Sequence, residues 1–82
     1  MIRYQGIKQG QPLEDREREC LQFAGDGLTT EVIAVRMAYS KDHVNYLIGS
    51  ACRKLGAKNR TQAIYLATRQ GILTARDKSI SG

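Results

Sequence analysis

Residues 28–56 read LTTEVIAVRMAYSKDHVNYLIGSACRKLG, and this stretch decides the fold. Thr29 stands before the apolar run Val32, Ile33, Ala34 and Met37, where a hydroxyl can accept from the free amides of a helix start, so a short helix is expected over about 30–37. Ala38 and Tyr39 form a tight connection. Ser40 then offers a second cap, with Asp42 in the first turn of the next helix, where a carboxylate favours the positive end of the helix dipole. From there Val44, Ile48, Ala51 and Leu55 step by four, three and four. That is one apolar stripe of a helix over about 41–55, and Gly56 stops it where left-handed backbone costs little.

Two further helices flank this pair. Pro12 marks a boundary, and Glu14, Asp15, Glu17 and Glu19 crowd the first turns of a helix spanning about 14–24. Leu13, Glu17, Cys20, Leu21 and Ala24 share one face of it. Gly25-Asp26-Gly27 ends it. After a turn at Lys58-Asn59, a fourth helix bears Ala63, Ile64 and Ala67 on one face and closes at Gly71, before Ile72-Leu73. The chain is thus read as one all-α domain over 13–73, with a flexible arm at 1–12 and a polar tail at 74–82. Its core is expected to be Leu21, Ile33, Ala34, Val44, Ile48, Ala51, Leu55, Ala63 and Ala67.

Composition agrees with a small globular domain: 82 residues, 41% hydrophobic, 26% charged. The net charge of +5 is unevenly spread. Residues 1–31 hold six acids and four bases, a net of −2, whereas from residue 32 onward nine bases face only Asp42 and Asp77, a net of +7. A basic half-domain suits a polyanionic partner. Cys20 and Cys52 lie 32 residues apart with no CxxC, and there is one His, so the cysteines read as buried thiols and no metal or other cofactor is expected. No Ser-His-Asp or Cys-His spacing and no Gly-rich phosphate loop supports an enzyme. No apolar run is long enough to span a membrane and no signal peptide is visible, so a cytoplasmic location is expected.

Two short helices joined by a tight turn, the second basic at its far end, form the pattern of a helix-turn-helix that sets one helix into the DNA major groove. More specifically, the stretch from Leu13 to Leu73 resembles the DNA-binding domain of the LuxR/GerE family. The resemblance rests on LEDREREC at 13–20, Gly27-x-Thr29, Ile33-Ala34, Ser40-x-x-x-Val44, KLGAKNRTQAI at 54–64 and Gly71-Ile72-Leu73. It implies a four-helix domain whose third helix reads DNA and whose fourth helix pairs two copies on half-sites. Family members usually carry the domain behind a receiver or ligand-binding domain, so a short arm in that place suggests a stand-alone kind.

On the outward face of the third helix stand Asp42, Asn45, Tyr46, Gly49, Ser50 and Arg53. The resemblance implies base-edge positions at Asn45, Tyr46 and Gly49, and Arg53 has the reach for guanine or phosphate. Thr29, Thr30, Lys41, Lys54 and Arg60 match, or lie beside, phosphate-touching positions. Tyr65, Leu66 and Arg69 point away from the core stripe of the fourth helix and are the expected homodimer surface. Plainer readings exist: Thr29 and Ser40 as caps alone, and Arg53, Lys54, Lys58 and Arg60 as a solvated face. Relative to the family pattern, His43 replaces the usual Thr, Asn45 the usual Lys, and Leu47 a frequent His. Asn45, Gly49 and Leu47 motivate a second reading, a protein-interaction module that binds and antagonises a LuxR-family or other transcription regulator instead of DNA.

Overall fold

The computed structural model describes residues 6–74; residues 1–5 of the expected arm and 75–82 of the expected tail lie outside the described residues. Four helices follow in order: α1 (Asp15–Gly25), α2 (Thr30–Met37), α3 (Lys41–Leu55) and α4 (Arg60–Arg69). Each start is satisfied locally. Glu14 N–H donates to Glu17 Oε1 at 2.8 Å, Val32 N–H to Thr29 Oγ1 at 3.2 Å, His43 N–H to Ser40 Oγ at 3.1 Å and Gln62 N–H to Asn59 Oδ1 at 2.8 Å.

The ends share one solution. In each, a residue in left-handed backbone lets two successive amides reach back to carbonyls of the last turn. At α3 these are Gly56 N–H to Arg53 O (3.2 Å) and Ala57 N–H to Cys52 O (2.9 Å), with Gly56 at φ 72. At α2 they are Ala38 N–H to Val35 O (3.3 Å) and Tyr39 N–H to Ala34 O (2.9 Å), and the left-handed residue is Ala38, at φ 60. An alanine there meets a steric cost that glycine escapes. The strained residue sits in the turn between α2 and α3, where it aims the third helix.

α3 is the central element, packed against each of the other three. All nine expected core residues are buried, and Cys20, Ala24, Leu47 and Leu73 join them. Burial and the neighbouring Glu19 carboxylate push the Cys20 thiol up to about 11, which keeps it a neutral core side chain whose Sγ lies 3.2 Å from Met37 Sδ. Cys52 is only half-buried, a departure from the expected pair of buried thiols.

Between α1 and α3 lies a buried polar cluster. The Glu17 carboxylate, on the inner face of α1, accepts from Lys54 Nζ at 2.7 Å, from Ser50 Oγ and from Glu14 N–H, so both its oxygens have donors. Burial alone would raise its pKa; the bonds from Lys54, Ser50 and Glu14 and the Lys54 charge outweigh that, and the net shift is downward. The described part of the expected arm is also held in place. Gly10 N–H donates to Lys54 O at 2.9 Å, satisfying a last-turn carbonyl of α3 that the helix leaves open.

Candidate nucleic-acid interface

The turn at Ala38 and the cap at Ser40 bring α3 out of α2 with Asn45, Gly49 and Arg53 on its outer side, one helical turn apart. Asn45 and Arg53 are exposed, Gly49 is half-buried, and Tyr46 is half-buried with its ring partly packed on the core. Asp42 is exposed at the start of the same face. Leu47 and Ser50 are turned inward instead, at 5% and 1% exposure. Ser50 therefore leaves the outward set. Leu47 is a core residue, so its difference from the family pattern is no argument about what the outer surface binds.

The residues expected to touch phosphate divide three ways. Thr29, exposed, caps α2, and Lys41, exposed at the start of α3, lies 3.5 Å from Glu31 across the turn. The backbone N–H of Glu31 and the Lys41 cation lower the pKa of that carboxyl. Thr30 and Arg60 come together: Arg60 Nη1 donates to Thr30 Oγ1 at 3.2 Å and Nη2 to Leu28 O at 3.0 Å, tying the start of α4 to the start of α2. Lys54 is the correction. It is 8% exposed, its ammonium bound to Glu17, so it cannot present a charge to a phosphate without abandoning a buried carboxylate.

On α4, Tyr65 is exposed at 56% and Arg69 lies over its ring, 5.7 Å from the centroid, with Nη1 3.3 Å from Tyr65 Oη. Leu66 differs from its expected outward position, being half-buried against the core.

Two features escaped the sequence reading. His43 stacks on Tyr39, ring centroids 4.4 Å apart and planes within 12°, across the N-terminus of α3. Their i, i+4 spacing was the available signal, hidden because Tyr39 precedes the helix. The docking of residues 7–11 on the end of α3 had no signal in an aperiodic Gly- and Gln-rich segment. Among the described residues, no group of three or more His, Cys, Asp or Glu is placed to hold a metal ion, and no helix is long and apolar enough to cross a membrane.

Comparison with known proteins agrees with this geometry. The profile described as "Bacterial regulatory proteins, luxR family" matches residues 11–67. The chain is 43% identical over 61 residues to the transcriptional activator protein AhyR of Aeromonas hydrophila, covering 74% of this chain and 24% of that protein. It is 37% identical over 60 residues to the transcriptional regulatory protein DesR of Bacillus subtilis (strain 168), covering 73% and 30%. The chain thus spans about a quarter of the length of the curated relatives it matches. Among solved structures, the transcription factor GerE superposes with a TM-score of 0.75 at 31% identity, over 80% of this chain and all of that one. Helix order, the turn between α2 and α3 and these matches lead to one conclusion: the chain belongs to the luxR family of bacterial regulatory proteins, as a helix-turn-helix domain.

Proposed function

We propose that this chain binds double-stranded DNA sequence-specifically as a homodimer, with α3 in the major groove. The observation that carries the reading is the division of α3: its inner face is fixed by the core and by the Glu17–Lys54 pair, while Asn45, Gly49 and Arg53 line an outer face turned away from that core. Asn45 suits adenine, whose N6 and N7 pair with a side-chain amide; Tyr46, Gly49 and Arg53 complete the base-reading face. Thr29, Thr30, Lys41 and Arg60 border it and supply phosphate contacts that set register without reading sequence. Tyr65 and Arg69 offer a surface on α4 for two-fold pairing, with Leu66 at its edge. Such pairing sets the two reading helices about 34 Å apart, one DNA turn, and selects an approximate palindrome.

Selection of bound duplexes from a random pool, followed by titration of the enriched site at several salt concentrations, tests this. Enrichment of a near-palindromic site, bound two to one and with a steep salt dependence, is expected. No enriched sequence and no salt-dependent binding would favour the protein-interaction reading. Replacing Tyr65 with Asp should remove cooperative binding to the full site and leave the helical circular dichroism unchanged; Leu66 is unsuitable for this test, because its partial burial makes an acid there a threat to the fold.

A further inference from the structure

α3 has 15 residues, and at 1.5 Å per residue it is about 22 Å long, whereas the major groove is about 12 Å wide. The groove's width admits the helix's diameter, but the groove curves round the duplex while α3 runs straight, so a helix whose first turns read bases carries its C-terminal end out past the phosphate backbone beside the groove. At that end the described part of the N-terminal segment is docked. Lys8, Gln9, Arg53 and Gly56 help line one shallow cleft there, whose lining includes no acidic residue among the described residues. The segment is organised as well as adjacent. Gly10 N–H bonds Lys54 O at 2.9 Å, Gln11 N–H bonds Lys8 O at 3.3 Å, and the Gln11 side chain accepts from Lys8 N–H and donates to Gly6 O, both at 3.2 Å. Gln9 lies over Gly56, so close that a Cβ at Gly56 would fall 2.6 Å from its amide. Lys8 is exposed on this hydrogen-bonded turn.

We infer that the segment Ile7–Gln11 is a second DNA-contacting element, in which Lys8, beside Arg53, binds a backbone phosphate flanking the groove that α3 occupies. This rests on the reading of α3 as the major-groove helix. The segment does two things at once: it closes the open carbonyl of the α3 terminus, and it carries a cation to the side of the helix where duplex backbone must pass. The contact is to phosphate, so it strengthens binding to every sequence alike.

The test is fluorescence anisotropy of the full chain on the enriched duplex and on a random one, each at four salt concentrations. Lys8→Ala should flatten the slope of log affinity against log salt by about 0.9 and weaken both duplexes by the same factor, at an unchanged melting temperature. Gly10→Pro, which removes the N–H that docks the segment and cannot take up the φ of 96 that Gly10 holds there, should flatten the slope likewise although Lys8 is still present. An unchanged slope in Lys8→Ala, while Asn45→Ala still alters sequence preference, overturns this inference and leaves the helix-turn-helix reading intact. An unchanged slope in Gly10→Pro overturns the role of docking. Failure of the wild-type chain to bind either duplex overturns both readings together.

Discussion

The two long faces of α3 carry similar side chains to opposite ends. Arg53 and Lys54 are neighbours in the chain, both cationic in the last turn of one helix, yet Arg53 is exposed on the outer face and Lys54 is sealed against Glu17. Asn45 and Ser50, both small and polar, divide in the same way. What separates them is about 100° of helical rotation per residue. A polar group on the inner face must find its whole set of partners within the protein, because no water is there to replace them. One on the outer face keeps water until a ligand displaces it. The inner polar cluster therefore bears on stability, and the outer residues are left at the surface.

Removing one cation from each face should break this comparison or establish it. Lys54→Ala leaves Glu17 buried without its cation and should cost about 3–5 kcal/mol in chemical denaturation, enough to unfold much of so small a domain. Arg53→Ala should stay within about 0.5 kcal/mol. Comparable losses from the two would show that the faces are not divided as described.

Acid should act on the inner face through Glu17. Glu17 has a folded pKa below its ordinary 4.5, so its contribution is fully present above that value and is lost as the pH falls through the lowered one. Stability should decline below about pH 4.5, and Glu17→Gln should remove much of that decline while lowering stability at neutral pH. A wild-type and a Gln variant with parallel acid limbs would contradict the assigned role.

On the outer face, Asn45→Ala should reduce discrimination between the best site and a variant at the contacted base pair by about 1–3 kcal/mol, with an unchanged melting temperature. A loss shared equally by random DNA would take Asn45 off the reading face. The smallest effect, and the only favourable one, concerns the turn that sets which face looks outward. Ala38→Gly should stabilise by about 0.5–1 kcal/mol, since relief of left-handed strain exceeds the extra freedom glycine gives the unfolded chain. A destabilised variant would mean that the Ala38 methyl packs against something that compensates its backbone.

Much of this molecule was legible in its sequence. The apolar stripes, the caps at Thr29 and Ser40, and the stops at Gly27, Gly56 and Gly71 are local signals, and local hydrogen bonding settles helix ends whatever surrounds them. The same periodicity located Asn45 and Arg53 on the outside and the nine core positions on the inside. Tertiary structure alone decided Leu47, Ser50 and Lys54, which lie at the margins of the stripe drawn through Val44, Ile48, Ala51 and Leu55. A helix on the surface of a bundle buries one narrow arc, and there the margins stay wet. α3 is flanked by α1, α2 and α4 together, so its buried arc is wider than the stripe. How far round a helix burial extends depends on how many neighbours reach it, and no periodicity within one segment records that number.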